Sequence, residues 1–319
     1  MEDRQKSLAG RGDSRHSSIS IAHPRSADLT VCADVNKYFL ERWPFPNERA
    51  RLKFAAEELP TWHCCQYPSS LPDRITAACR LSVMLFLLDD LLEHMSLEEG
   101  SSYNEKLVSI ITGDAKPSDG SPIENIVGDV WHEMEILDIR LAHDLMEPMF
   151  DFWCSQTDSS RLEKKGIAGY LRYRERDVAA QLLLALQRFS QGIYLSKEEL
   201  ESTADIEVLF SRHISVVNDV ASWDKECRAE REIDAQGSVV SNIVQVLSDD
   251  CGFSPESAKA VLWAMCEEWS KMVDECVAKR IDEGCSDSLR KYPDGLKMQM
   301  CGNELWSRTT FWYNSSGLV

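Results

Sequence analysis

From about residue 31 onward, apolar residues recur at the three- and four-residue spacing of amphipathic helices. Stretches that alternate apolar and polar residues, as half-buried strands do, are almost absent. Short segments rich in Pro, Gly and Ser separate the periodic stretches. The pattern predicts an all-α fold with ten helices, at 33–43, 47–58, 71–96, 103–113, 122–156, 163–191, 196–228, 237–249, 254–284 and 294–312.

Three local signals refine this prediction. Pro148 should kink the fifth helix, because proline removes a backbone hydrogen bond and crowds the preceding turn. Ser196 and Glu199 have the spacing of a capping box at the start of the seventh helix. The longest apolar run, 81–88, is too short to cross a bilayer, so we predict no membrane span.

The chain divides into one large domain and two tails. The first thirty residues are rich in Ser, Arg and Gly and poor in apolar groups, so they cannot offset the entropy lost on ordering. We therefore predict a flexible tail over 1–30, a single helical domain over 31–314, and a short carboxyl tail over 315–319. A chain of 319 residues is long enough to bury one sizeable helical core.

Charge and cysteine content limit the possible partners. The chain has 53 acidic and 35 basic residues, and its net charge of -18 repels nucleic acid and anionic lipid surfaces. We expect neither partner, and an anionic small substrate would need cations between it and the protein. Eleven irregularly spaced cysteines, without an apolar leader, are typical of reduced thiols in a cytoplasmic protein.

Three oxygen-bearing side chains follow one another at four-residue steps in the seventh predicted helix: Asn218, Ser222 and Glu226. Such steps keep side chains on one helical face, and the lean of helical side chains lets Glu226 reach back toward the other two. Hard oxygen donors with one formal charge among three suit Mg²⁺. A solvent-exposed polar face would show the same spacing.

A second oxygen-rich group ends the apolar third helix. Asp89, Asp90 and Glu93 share one helical face with Phe86, at i+3, i+4 and i+7 from it. Carboxylates on an inward face are costly to desolvate unless cations or protons neutralise them. A face turned to water is the alternative, but two such groups in one helical chain together indicate a metal site.

These two groups resemble the paired metal-binding motifs of class I terpene synthases: "DDLLE" at 89–93 and "NDVASWDKE" at 218–226. "YRERD" at 173–177, "HISVVNDV" at 213–220 and "GNELWS" at 302–307 are similar to segments of fungal sesquiterpene cyclases, and the similarity covers nearly everything after the tail. The resemblance implies a helical bundle around a central active-site cavity. It also implies a lyase of isoprenoid biosynthesis, in which three Mg²⁺ ions bind the diphosphate of farnesyl diphosphate and trigger its ionisation. Homodimers are a further expectation.

The resemblance assigns roles to individual residues. It implies four metal ligands: Asp89, Asn218, Ser222 and Glu226. Asp90 and Glu93 would act through water or neighbouring basic groups. The diphosphate would be bound by Arg174, Lys225 and Tyr313.

Three aromatic residues match positions of the family pocket: Phe86, Phe152 and Trp306. Aromatic faces can stabilise carbocations through their quadrupoles. Ordinary core packing would place the same residue types inside a helical bundle.

One position departs from the family pattern. The family usually ends its last helix with an Arg-Tyr pair whose arginine binds diphosphate, whereas Trp312 precedes Tyr313 here. Arg308 lies four residues before Trp312, and we hypothesise that it compensates from the same helical face.

Several functions stay open at this point. A bicyclic, eremophilane-type hydrocarbon is the expected product, but another sesquiterpene skeleton or a diterpene would differ only in the contour and volume of the cavity. A chain-elongating prenyl diphosphate synthase would carry a second aspartate-rich motif in place of Asn218 and Ser222. A noncatalytic isoprenoid diphosphate binder is favoured only by Trp312.

Overall fold

The computed structural model describes residues 26–163, 166–233, 238–283 and 285–314. Within these ranges the chain forms fourteen α-helices and no strand, which confirms the all-α prediction. The helices are α1 (Ser26–Arg42), α2 (Glu48–Glu57), α3 (Pro60–Gln66), α4 (Ile75–Leu92), α5 (Leu97–Ile111), α6 (Pro122–Gln156), α7 (Ile167–Asp177), α8 (Ala180–Gln191), α9 (Lys197–Ser202), α10 (Ala204–Glu232), α11 (Ile243–Cys251), α12 (Pro255–Glu283), α13 (Asp287–Thr309) and α14 (Phe311–Asn314). In these described parts of the chain, no helix has the length and apolar character that a membrane span requires.

Helix α8 lies at the centre of the bundle. It contacts α4, α6, α7, α10 and α13. Nearly all of its side chains, from Leu182 to Ser190, are buried, which is the expected state of a helix that is apolar on most of its faces. The long helices α4 and α10 both pack against this core element, and polar residues of both line one cavity.

Helix α6 is broken at a different residue from Pro148, where the kink was predicted. Helical dihedral angles in α6 are broken at Asp138, where φ is -164° and ψ is 93°. Its carboxylate accepts a hydrogen bond from the backbone N–H of Leu141 at 3.1 Å and pairs with Arg74 at 2.7 Å. Asp138 thus caps the second half of α6 and pairs with the largely buried Arg74. These contacts place the break at Asp138 rather than at Pro148.

Other differences from the predicted helices have local causes. The predicted helix 163–191 is divided into α7 and α8, because Ala179 adopts a left-handed conformation with φ of 59°. The helix predicted over 196–228 is divided at Thr203 into α9 and α10, and the capping box of Ser196 and Glu199 at the start of α9 is confirmed. Helix α3, with seven residues and a proline in its first turn, was not predicted.

The amino-terminal boundary also needs correction. Helix α1 begins at Ser26, and Asp28 is buried, so residues 26–30 belong to the helical domain and not to the tail predicted over 1–30. The remainder of that tail, 1–25, and the carboxyl tail, 315–319, lie outside the described residues.

Close packing of α13 on α3 sets the position of the last helix. A Cβ atom added to Gly302 would lie 2.0 Å from the backbone oxygen of Cys65. Beside this contact, the Gln66 side chain donates a hydrogen bond to Asn303 Oδ1 at 3.0 Å. After α13, Thr310 is extended, and the short helix α14 then buries Trp312 and Tyr313. The glycine therefore permits the approach that brings α14 to the bundle.

We predict that Gly302→Ala lowers the free energy of unfolding by about 1–3 kcal/mol, because α13 must move away from the α3 backbone. The matched control is Gly128→Ala in α6, where an added Cβ would make ordinary contacts at 3.6 and 3.7 Å. That variant should be neutral or stabilised by less than about 1 kcal/mol, through helix propensity. Urea unfolding followed by circular dichroism checks both, and equal effects of the two substitutions would contradict the packing argument.

Candidate active site

The two oxygen-rich groups face one cavity of about 140 Å³. Its walls come from the carboxyl ends of α4, α6 and α7, the start of α5, the second half of α10 and the short helix α14. The polar and aromatic residues that line it include Phe86, Asp89, Glu93, Gln156, Arg174, Asp177, Asn218, Ser222, Lys225, Glu226, Trp312 and Tyr313. We call this space the mouth cavity. Residues far apart in sequence thus converge as the two motifs predicted.

The stripe on α10 points into the mouth cavity and not into bulk water. Ser222 is 5% exposed, and its hydroxyl donates to Glu226 Oε1 at 2.5 Å. The Asn218 amide donates to the Tyr313 hydroxyl at 2.8 Å and accepts from Arg174 Nη2 at 2.7 Å. Burial, together with the nearby charge of Asp219, raises the pKa of Glu226 to about 7. The solvent-exposed alternative for this stripe is therefore wrong.

Asp219 anchors the site from behind. It is fully buried and accepts hydrogen bonds from the Tyr170 hydroxyl at 2.6 Å, from Arg174 Nε at 2.8 Å and from the backbone N–H of Ile243 at 2.9 Å. One carboxylate thus joins α7, α10 and the start of α11. The sequence did not single out Asp219, although it lies within the motif at 218–226. The four-residue spacing pointed to its neighbour Asn218 instead.

Arg174 is held by charged partners on two helices. Its guanidinium donates to Asp219 on α10 and to Asp177 on its own helix, while the remaining nitrogen reaches Asn218. Burial alone would lower the pKa of Arg174, but these carboxylates, Asp219 foremost, raise it well above its ordinary value. The arginine therefore stays cationic at the edge of the mouth cavity, beside the α10 donors.

The acidic motif on α4 is divided between two partners. Asp89 Oδ1 accepts a hydrogen bond from Gln156 Nε2 at 2.5 Å, and both side chains line the mouth cavity. Asp90 Oδ1 and Glu93 Oε1 lie 3.4 and 3.5 Å from the Lys225 ammonium. The expected contact of Asp90 and Glu93 with a neighbouring basic group is therefore present, and their role beside the metal ligands stays a prediction. In the part of the chain that the structure describes, no three His, Cys, Asp or Glu side chains are grouped as a metal site.

The donor set fits a hard divalent cation. Amide, hydroxyl and carboxylate oxygens of Asn218, Ser222 and Glu226 lie along one wall of the mouth cavity, and the Asp89 carboxylate lines it from α4. Arg174 uses one lone pair of the Asn218 oxygen, which leaves a second for a metal ion. Mg²⁺ usually keeps water and an anionic ligand in its coordination shell. A protein site with few charged ligands is compatible with both.

The residues expected to bind diphosphate do not all meet here. Arg174, Lys225 and Tyr313 line the mouth cavity. Arg308 does not: it is exposed, pairs with Glu304 at 2.9 Å, and lies over the Trp263 ring at 4.0 Å. The hypothesis that Arg308 compensates from the face of Trp312 assumed one continuous helix. Because Thr310 is extended, α13 ends before Trp312, and a four-residue step no longer keeps a common face.

The predicted pocket aromatics also separate. Phe86 lines the mouth cavity, with its ring centroid 5.9 Å from Trp306 and 5.6 Å from Trp312. Trp306 is buried behind it and packs edge-on against Tyr313. Phe152 packs against the core from α6 and is not among the cavity-lining residues. The structure thus brings Phe86 and Trp306 together and leaves Phe152 apart.

A family model described as terpene synthase family 2, C-terminal metal binding, matches residues 80–271. This range contains both oxygen-rich motifs, and the chain belongs to this family of terpene synthases, whose description includes metal binding. The family resemblance and the class I helical bundle predicted from the sequence are confirmed.

Particular relatives extend the similarity to almost the whole chain. The (+)-aristolochene synthase TS1 of Penicillium expansum is 46% identical over 92% of this chain and 89% of its own. The aristolochene synthase of Aspergillus terreus is 44% identical over 92% of each chain. The crystal structure of aristolochene synthase from Penicillium roqueforti superposes with a TM-score of 0.81 at 40% identity, covering 92% of this chain and 99% of that one.

We predict that Asp219→Ala lowers the free energy of unfolding by about 3–5 kcal/mol, because Arg174 loses a buried charged partner. Asp224→Ala is the matched control on the same helix: this side chain is 68% exposed and pairs with Lys259 at 3.6 Å. Its loss should cost no more than about 1 kcal/mol. Chemical unfolding of the two variants decides, and an Asp219 variant as stable as the control would refute the anchoring role.

Proposed function

We propose that this protein is a Mg²⁺-dependent sesquiterpene cyclase that converts farnesyl diphosphate into aristolochene, a bicyclic eremophilane-type hydrocarbon, with release of diphosphate. The observation that carries the proposal is the convergence of the α4 and α10 oxygen donors with Arg174, Lys225 and Tyr313 in one cavity. The names of the two relatives from Penicillium expansum and Aspergillus terreus support the choice of product. Action in the cytoplasm and assembly as a homodimer stay predictions.

The metal-binding residues would act in two groups. Asn218, Ser222 and Glu226 would hold one ion on α10, and Asp89 would contribute from α4, with three Mg²⁺ ions expected in all. Bound cations would neutralise the diphosphate and make it a competent leaving group. They would also resolve the conflict between an anionic substrate and a chain with net charge -18.

The basic and hydroxyl groups would bind and orient the diphosphate. Arg174 is pre-positioned by Asp219 and Asp177, so little reorganisation is needed when the anion arrives. Lys225 and the Tyr313 hydroxyl present further donors to the same cavity. Burial raises the pKa of Tyr313 above its ordinary value, so its hydroxyl keeps the proton that it would donate.

Phe86 would face the hydrocarbon part of the substrate. It is the cavity-lining aromatic residue that begins the acidic face of α4, one turn before Asp89 and Asp90. Its ring would stabilise positive charge close to the point where the diphosphate leaves. Trp306, which contacts Phe86 from behind, would fix the orientation of that ring.

The alternatives differ in what they would produce. A diterpene cyclase would use geranylgeranyl diphosphate, and another sesquiterpene cyclase would yield a different C15 skeleton. The amide and hydroxyl of Asn218 and Ser222 argue against a prenyl chain elongase with two aspartate-rich motifs. A noncatalytic binder would hold diphosphate without releasing it from any substrate.

The decisive experiment incubates purified protein with farnesyl diphosphate, with and without Mg²⁺, and identifies volatile products by gas chromatography and mass spectrometry. We expect a C15 hydrocarbon with the mass spectrum of aristolochene only when Mg²⁺ is present. Asn218→Ala and Asp89→Ala should each lower turnover at least about 100-fold, because each removes a metal ligand. The control Asn125→Ala, an exposed residue on α6, should retain normal turnover.

Three results would overturn parts of the proposal. A metal-independent product, or unchanged turnover in both ligand variants, would contradict the metal assignment. A C20 product from geranylgeranyl diphosphate alone would replace the substrate. No diphosphate release from either substrate would favour the binder.

A further inference from the structure

Lys225 has an aromatic partner that the proposed function leaves unexplained. Its ammonium lies 3.8 Å from the centroid of the Trp312 ring, well inside the range of about 6 Å for a cation–π contact. The distances to Asp90 Oδ1 and Glu93 Oε1, 3.4 and 3.5 Å, exceed the usual length of a charged hydrogen bond, about 2.7–2.9 Å. The ring therefore makes a cation–π contact at a favourable distance, while the two carboxylates lie beyond the usual length of a charged hydrogen bond.

Trp312 is itself fixed in place. It is 4% exposed, its backbone N–H donates to Thr310 Oγ1 at 3.1 Å, and its ring packs edge-on against Phe86 at 5.6 Å. The next residue, Tyr313, accepts a hydrogen bond from Asn218 and so ties α14 to α10. A rigid ring on α14 thus meets a flexible lysine on α10 at the wall of the mouth cavity.

We propose that Trp312 is a positioning residue that holds the Lys225 ammonium in the mouth cavity for contact with the diphosphate. This inference rests on the proposed diphosphate-binding role of Lys225. It adds an interaction that the α4 carboxylates cannot replace, because the ring attracts the ammonium without cancelling its charge.

The physical advantage appears when an anionic ligand and its metal ions enter. The metal ions would then attract Asp90 and Glu93. If these two carboxylates were the only partners of Lys225, the lysine would shift whenever they shift. The Trp312 ring, which also has the Lys53 ammonium 5.6 Å from its centroid, carries no negative charge and no oxygen ligand, so the metal ions do not draw it away from Lys225 as they would a carboxylate. Lys225 therefore stays in position, and its N–H groups that point away from the ring stay available to the diphosphate.

A double-mutant cycle tests the proposal through the dissociation constant of inorganic diphosphate, measured calorimetrically in excess Mg²⁺. The variants are Trp312→Leu, Trp312→Phe, Lys225→Met and the double variant Trp312→Leu with Lys225→Met. We expect Trp312→Leu to weaken diphosphate binding about tenfold and Trp312→Phe about threefold, because phenylalanine keeps a weaker π face. In the Lys225→Met background, Trp312→Leu should change the dissociation constant less than about twofold.

Trp263→Leu is the matched control. Trp263 also makes a cation–π contact, with the Arg308 guanidinium 4.0 Å from its ring centroid. It lies on α12, however, and does not line the mouth cavity. Its variant should bind diphosphate as the unmodified protein does. Circular dichroism establishes folding of each variant, and if Trp312→Leu fails to fold, the cycle is run with Trp312→Phe.

A second readout needs neither metal nor diphosphate. Urea unfolding of the unmodified protein, Trp312→Leu, Lys225→Met and the double variant should show that Trp312 and Lys225 stabilise each other, with a coupling of about tenfold in the unfolding equilibrium constant. Additive effects would show that the cation–π contact does not exist in solution, and the proposal would fall.

The outcomes separate the proposal from the function on which it rests. If Lys225→Met weakens diphosphate binding and Trp312→Leu does not, Trp312 has no positioning role and the proposed function stands. Equal losses for Trp312→Leu in both backgrounds would show that it acts without Lys225. If Lys225→Met leaves diphosphate binding unchanged, the role of Lys225 fails, and the positioning proposal fails with it.

Discussion

The site depends on one buried carboxylate, Asp219. The core-facing side of α10 turns polar half-way along the helix, and its desolvated polar groups need hydrogen-bond or charged partners. Asp219 has such partners, because it accepts hydrogen bonds from Tyr170, Arg174 and the start of α11. The arginine thereby stays charged and points to Asn218. Without this interaction, the side of the mouth cavity formed by α7 and α10 would lose the contact that joins Tyr170, Arg174 and the start of α11 at one point.

Charge organises the opposite side in a different way. The acidic face of α4 is contacted by side chains from other helices: the uncharged amide of Gln156 donates to Asp89, and the Lys225 ammonium lies close to both Asp90 and Glu93. Asp89 contacts this uncharged amide and lines the mouth cavity, which suits its proposed role as a metal ligand. The acidic residues with a cationic partner position that cation. The three neighbouring acids therefore have two different environments.

The spacing of residues predicted the site where the helix is continuous. Asn218, Ser222 and Glu226 all lie on α10, and the rule of four-residue steps held for them. The same rule failed for Arg308 and Trp312, because the extended residue Thr310 separates α13 from α14. Asp219 and Gln156 were missed because their roles arise from contacts between helices, which a one-dimensional pattern does not contain. For the same reason, the break in α6 lies at Asp138, which pairs with Arg74 just before the start of α4, and not at Pro148.

The most direct test of the central claim is the anomalous scattering of a crystal grown with Mn²⁺ and inorganic diphosphate. The account predicts manganese within coordination distance of Asn218, Ser222 and Glu226, a further ion at Asp89, and diphosphate oxygens beside Arg174. Manganese bound elsewhere, or a mouth cavity that holds diphosphate without any metal ion on α10, would contradict it.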